Sequence, residues 1–158
     1  MPIINIEMVV IAPLERVFDL ARSINLHTET MSVHKEKAIA GKTSGLINLG
    51  ESVTWEAVHF GVKQKLTSEI TILDRPVHFR DSMVKGAFAR FDHDHFFEMA
   101  NPGTIMRDVF DYDSPLGILG NIADKLFLAK YMKKILKDRN KLIKEIAESD
   151  NWRKFLSH

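Results

Sequence analysis

The feature that most constrains this chain is a change of hydrophobic period near Val33 and again near Tyr112. Between those positions apolar and polar residues alternate, in runs separated by turn signals, which is the pattern of strands with one buried face. The runs fall near 34–40, 50–60, 62–73, 76–84, 88–100 and 104–113, and an Ile/Val-rich strand covers 2–11. Phe60-Gly61, Asp74-Arg75-Pro76, Lys85-Gly86-Ala87 and Asn101-Pro102-Gly103 mark the later turns. Connections this short make successive strands antiparallel neighbours.

On either side the period is helical. Pro13 suits a helix's first turn, and Leu14, Val17, Phe18 and Ala21 follow at helical spacing. Ser23 can cap a second short helix over 24–30. After Ser114-Pro115 an apolar stripe runs from Ile118 to Ile146, through Ile122, Phe127, Ile135 and Ile143, outlining one long amphipathic helix over about 117–148. A large sheet cannot leave its apolar face wet, and this helix is available to cover it. The expected fold is therefore α+β: a seven-stranded curved antiparallel sheet wrapped around a long C-terminal helix, with two short helices after the first strand. A twisted sheet closed by a single helix leaves its middle incompletely filled, so a cavity is expected. No linker or repeat interrupts residues 1–158, which read as one domain.

Composition removes several classes of function. Apolar residues make up 45% of the chain and charged residues 27%, which excludes disorder as the main state. No apolar run approaches the roughly 18–20 residues that span a bilayer. With no cysteine, thiolate zinc sites and cysteine nucleophiles are excluded. The N-terminus lacks a basic leader and carries Glu7 within its apolar stretch, so the expected location is cytoplasmic. Net charge is only +1, and no uniform basic surface points to nucleic acid. Residues 121–158 are nonetheless basic, with lysines at 125, 130, 133, 134, 137, 141 and 144. A solvated helix face is the plain reading of these lysines, and contact with an anionic membrane surface or acidic partner is the lesser alternative.

Strand alternation assigns faces. Lys63, Lys65, Thr67, Glu69 and Thr71 form an outward set, which turns Val62, Gln64, Leu66, Ser68, Ile70 and Ile72 inward. Carried through the turns, the phase brings Val53, Trp55, Ala57 and His59 inward on one side, and Val77, Phe79, Asp81 and Met83 on the other. The next strands add Ala89, Phe91, His93, His95, Phe97 and Met99, then Thr104, Met106, Asp108, Phe110 and Tyr112. A two-residue turn at Asn101-Pro102 places His95 opposite Asp108 and Phe91 opposite Tyr112. Unpartnered buried polar groups cost on the order of 1–3 kcal/mol each, so a dry core would not carry His59, Gln64, Asp81, His93, His95, Asp108 and Tyr112 together. Apolar walls with a few convergent polar groups are the usual form of a small-molecule site. The competing reading has these groups satisfying one another, with His95–Asp108 as a structural pair.

His93-Asp94-His95 places two imidazoles on one strand face, where Asp108 or His59 could complete a metal site. A two-residue spacing is little specific, so the histidines are read as structural and no metal or cofactor is assigned. The same groups suit acid–base work, with Asp108 orienting His95 and Tyr112 or His93 nearby. Ser68 and Thr104 lack the setting of a nucleophile.

Three segments carry a family resemblance. Ile11-Ala12-Pro13-Leu14-Glu15-Arg16-Val17-Phe18-Asp19-Leu20 resembles the opening of the START-like (SRPBCC, helix-grip) superfamily. Phe91-Asp92-His93-Asp94-His95-Phe96-Phe97 and Asp108-Val109-Phe110-Asp111-Tyr112-Asp113-Ser114-Pro115-Leu116-Gly117 resemble strands of its uncharacterised bacterial branch. The superfamily includes birch-pollen-allergen-like proteins, lipid-transfer domains and polyketide cyclases, and the resemblance implies the helix-grip fold. It implies no metal and leaves chemistry open, because one fold hosts carriers, sensors and enzymes. The expected function is binding, transport or sensing of a small lipid-like or polyketide-like molecule, by a monomer or homodimer. Its site would comprise Trp55, His59, Gln64, Phe79, Asp81, Phe91, His93, His95, Met106, Asp108, Phe110 and Tyr112. One alternative is a cyclase or dehydratase using His95 and Asp108. Another is a non-catalytic module acting through the basic final helix.

Overall fold

A computed structural model describes residues 2–114, 122 and 127–156. Strand β1 (Ile3–Val10) leads into helices α1 (Leu14–Ala21) and α2 (Ile24–Thr30), then a short 3-10 turn over Ser32–His34. Six strands follow: β2 (Lys37–Gly41), β3 (Ser52–His59), β4 (Val62–Asp74), β5 (His78–Lys85), β6 (Arg90–Met99) and β7 (Thr104–Asp113). The long helix α3 (Ala129–Ala147) closes the fold, and a 3-10 turn (Asp150–Trp152) and a four-residue helix α4 (Arg153–Leu156) end it. Of the helix expected over 117–148, positions 117–121 and 123–126 lie outside the described residues.

All seven strands form one antiparallel sheet in the order β1-β7-β6-β5-β4-β3-β2. Strands β2 to β7 are a meander, joined by short turns from β3 onward and by residues 42–51 between β2 and β3, and β1 adds to the free side of β7. Helices α1 and α2 carry the chain from one edge to the other. Pro13 stands just ahead of α1, one position earlier than expected, with extended backbone geometry. Ser23 caps α2 by accepting the Leu26 N–H at 3.2 Å, satisfying one of the orphan donors of a helix start. Gly103 (φ +85°) passes so close to β1 that a Cβ there would lie 2.2 Å from the Val10 carbonyl oxygen.

Helix α3 packs on β1, α1 and α2 through Ile135, Leu136, Ile143, Ile146 and Ala147. The Ile11 N–H donates to Glu148 at 2.7 Å, Lys144 to the Val9 carbonyl at 2.9 Å, and Arg16 to the Ala147 carbonyl at 3.2 Å. These bonds tie the end of α3 to the first strand and helix. Ile122 and Phe127, expected in the buried stripe, are each 52% exposed.

Register follows the expected phase across the centre of the sheet. His95 faces Asp108, Phe91 faces Tyr112 and Asp81 faces His93. The phase breaks where the strands bulge. A bulge at Thr71 pairs Ile72 with Arg80 and turns Leu73, not Ile72, toward the core beside Phe79. Val62, Val77, Ala89 and Met99, expected inward, lie at or beside strand ends and are exposed. Phe88 takes the inward place that alternation gave to Ala89 and packs on Phe91, Phe110 and Tyr112.

The interior contains two apolar clusters. One gathers Val10, Val17, Phe18, Leu20, Phe79, Phe97, Met106 and Ile143 at the α1 end, with Phe18 edge-on to Phe79 and Phe97 at 5.4 and 5.2 Å. The other gathers Ile4, Ile6, Phe91, Phe110, Tyr112 and Leu136. Along β6 and β7 the residues between the two clusters are His93, His95 and Asp108, so a polar band crosses the interior where neither cluster reaches.

Candidate functional site

Beside that band lies a cavity of about 400 Å³. Its sheet wall is built from Val53, Trp55 and Ala57 of β3, Gln64, Leu66 and Ile70 of β4, Phe79 and Asp81 of β5, Phe91, His93 and His95 of β6, and Phe110 of β7. Ile24, His27 and Met31 contribute from α2 and its end, and Tyr131, Met132, Ile135, Leu136 and Arg139 from α3. The hollow follows from the sequence pattern. Strand alternation delivers every second side chain to one concave face, and one helix is too narrow to fill the space between β3 and β6.

The polar band is organised by Asp108, whose side chain is 1% exposed. Its Oδ1 accepts from His95 Nδ1 at 2.8 Å and from His93 Nε2 at 3.2 Å. Its Oδ2 accepts from the Asn140 amide of α3. Arg139 approaches Asp108 to 4.0 Å while donating to the Ala21 carbonyl at 3.0 Å and to Asn140 Oδ1 at 3.1 Å. Burial alone would raise the Asp108 pKa, but the bonds to His93 and His95 outweigh it and hold the carboxyl well below its usual range. A charged carboxylate only accepts, so each imidazole donates an N–H to it.

That arrangement turns His95 Nε2 and His93 Nδ1 away from Asp108 and toward Asp81, at 3.9 and 3.7 Å from its two oxygens. These separations exceed a hydrogen bond. His95 Nε2 and Asp81 Oδ1 are buried without a hydrogen-bond partner. The two imidazole rings stand 3.9 Å apart, and His95 stacks on Phe79 at 4.2 Å. Burial depresses the His93 pKa, and the neighbouring His95 charge adds to this, so it lies below the ordinary histidine value. Burial pulls His95 down too, but its bond to Asp108 and the charges of Asp108 and Asp81 carry it above that value. Asp81 is likewise raised by burial, yet lowered overall by His95, His93 and Arg139.

A second polar group stands across the cavity. His59 Nδ1 lies 2.7 Å from the Tyr131 hydroxyl, and the His34 ring packs on His59 at 4.8 Å. Burial, then the charge of His34, pushes the His59 pKa down. His27 Nε2 pairs with Glu36 at 2.6 Å and its ring lies 4.3 Å from Trp55.

Of the residues expected in the site, Trp55, His59, Gln64, Phe79, Asp81, Phe91, His93, His95 and Phe110 line the cavity. Met106, Asp108 and Tyr112 stand behind the wall. Asp108 is screened by the two imidazoles and Asn140, Met106 belongs to the α1-end cluster, and Tyr112 packs among Phe88 and Phe110. His59 sits on β3, with two strands between it and β6, and does not join the His93–His95 group. His27, Glu36, Tyr131 and Arg139 were not expected. They come from helices and a connector, where strand alternation carries no information. Among the described residues, Asp81, His93 and His95 offer potential metal-ligand atoms within 4.8 Å of one another.

A family model described as "Polyketide cyclase / dehydrase and lipid transport" matches residues 10–130. No curated protein sequence matches. Among solved structures, protein TTHA0849 of Thermus thermophilus is 22% identical, with a TM-score of 0.74 over 91% of this chain and 95% of that one. Ginseng major latex-like protein 151 from Panax ginseng is 12% identical, with a TM-score of 0.70 over 94% and 98%. A START superfamily protein from Mycobacterium smegmatis is 12% identical, with a TM-score of 0.68 over 92% and 97%. At these identities the likeness is one of fold, and it is the fold expected above.

Proposed function

The chain belongs to the polyketide cyclase/dehydrase and lipid transport family, and from that premise we propose that it encloses one small hydrophobic molecule carrying a single oxygen-bearing group. The observation that carries this reading is the cavity itself, about 400 Å³, apolar over most of its wall. Its size falls in the range of roughly 300–1,000 Å³ that holds compact organic ligands. Trp55, Phe79, Phe91, Phe110 and Leu136 supply shape and apolar contact. His95 Nε2 and Asp81 Oδ1 supply the polar end: a ligand hydroxyl could donate to Asp81 Oδ1, and a carbonyl or carboxylate could accept from His95 Nε2 when that ring is protonated.

The same geometry favours a second reading. A histidine that donates one N–H to a buried carboxylate and turns its other nitrogen to the substrate space is arranged for proton transfer. In a cyclase or dehydratase, His95 would be the group touching substrate and Asp108 would only orient and charge-stabilise it. A carrier returns its ligand unchanged, whereas an enzyme returns product.

Titration with the apolar fluorophore 1-anilinonaphthalene-8-sulfonate tests the shared premise. Saturable binding with one site per chain is expected, weakened at least tenfold in Ala57→Phe, which fills the cavity from β3. Absence of saturable binding, or equal affinity in the variant, would overturn it.

A further inference from the structure

We propose that Asp81, His93 and His95 form a site for one divalent first-row transition-metal ion at the polar end of the cavity. The donor set is two imidazole nitrogens and one carboxylate, which suits zinc, cobalt or ferrous iron and disfavours calcium and magnesium. The ligand atoms come from adjacent strands, with Asp81 directly opposite His93 in the β5–β6 ladder and His95 two residues along. His93 Nδ1 and His95 Nε2 approach the two Asp81 oxygens at 3.7 and 3.9 Å. Metal–nitrogen and metal–oxygen bonds near 2.1 Å put neighbouring donors roughly 3–3.5 Å apart, whereas the three donors here lie within 4.8 Å of one another, so closing on an ion takes small side-chain shifts, with Asp81 the most exposed of the three.

Two further observations point to a ligand there. His95 Nε2 and Asp81 Oδ1 are buried and make no hydrogen bond, and the His95 side chain is only 3% exposed. Behind the imidazoles, Asp108 takes an N–H from each ring, at 2.8 and 3.2 Å. A carboxylate bonded to the far nitrogen of a ligating histidine fixes which nitrogen faces the metal and raises its donor strength. Here one carboxylate does so for both rings, and Asn140 fixes that carboxylate in turn.

The charges agree. Asp81 and Asp108 together exceed the single positive charge of Arg139, which is held by Ala21 and Asn140. A divalent ion would leave the group with a net positive charge. Three protein ligands also leave open positions facing the cavity. An enolate, carboxylate or hydroxide oxygen would complete both the charge and the coordination, so the class of molecule favoured is an oxyanion-bearing apolar compound. The ion would take the two atoms to which the proposed function gives the ligand's polar group and would stand between them and that group, whereas binding of the ion alone needs no apolar ligand.

The test uses the full chain without a histidine tag, freed of metal by chelation and titrated with Co2+ and with Zn2+ by calorimetry and visible absorption. One equivalent should bind with appearance of cobalt d–d bands. Affinity should fall at least thirtyfold in Asp81→Asn and in His93→Gln, and persist in His78→Gln on the outer face of the sheet. Far-UV circular dichroism and fluorophore binding in each variant separate loss of the metal site from loss of fold or cavity. Absence of both heat and d–d bands in wild type at millimolar metal would overturn the proposal. So would stoichiometric binding that Asp81→Asn leaves unchanged.

Discussion

Strand β6 presents nearly the same chemistry on its two faces, with opposite results. Outside, Asp94 accepts from His78 at 2.7 Å and from Arg80 through two bonds of 2.9 Å. His78 stacks on Phe96 and Arg107 covers the same ring. Both oxygens of that carboxylate are occupied, and its partners His78 and Arg80 are themselves partly exposed. Inside, Asp108 is equally well served, but the carboxylate beyond the imidazoles, Asp81, is not, and neither is His95 Nε2. Imidazole and carboxylate on a strand therefore say little about function by themselves. What distinguishes the inner group is an unmet valence facing the cavity, His95 Nε2 and Asp81 Oδ1 having no protein partner there.

The sharpest way to break the comparison is to remove each carboxylate. Asp108→Ala leaves two buried imidazoles and Asn140 without their shared acceptor, and should cost about 3–5 kcal/mol of stability. Asp94→Ala on the outer face, where the freed Arg80 and His78 are partly exposed and can turn to water, should cost less, about 1–2 kcal/mol. Urea denaturation of both variants gives the two values, and equal losses would erase the distinction between the faces.

Titration of the metal-free protein gives a smaller but more specific contrast. Histidine NMR should show His95 titrating above the ordinary value of 6.5 and His93 below it. His95 then contributes stability that is complete below pH 6.5 and lost as pH rises through its folded pKa. His93 contributes stability present above pH 6.5 and lost as pH falls through its folded pKa. If both moved the same way, Asp108 would not be dividing the pair as described.

The smallest effect belongs to the outer face alone. Asp94 is raised by burial but lowered overall by Arg80 and His78, so its contribution is present above pH 3.8 and fades as pH falls through its folded value. Asp94→Asn should flatten the acid limb of the stability profile without altering fluorophore binding.

Much of the inner group was legible in the sequence. The short turn at 100–103 fixes the β6–β7 register, and alternation then sets His95 against Asp108 and brings Asp81 to the same face. Depth was not legible. Alternation gives a side but not a distance from the helix, so Asp108 was expected on the cavity wall when it lies behind it. The bulge at Thr71 carries no mark in the sequence, because one extra residue changes phase without changing composition. Arg139 and Asn140 were missed because the helix stripe was traced through apolar residues. A polar residue on a buried helix face becomes readable only once its partner, here Asp108, is placed.

The central claim is that the inner face of β6 looks into a space a ligand can occupy, while the outer face does not. The most direct measurement records the imidazole nitrogen-15 signals of His93, His95 and His78 while 1-anilinonaphthalene-8-sulfonate is added. The signals of His93 and His95 should shift in step with saturation of the cavity while that of His78 stays in place. Stationary His93 and His95 signals at full occupancy, or equal shifts at all three, would contradict the account.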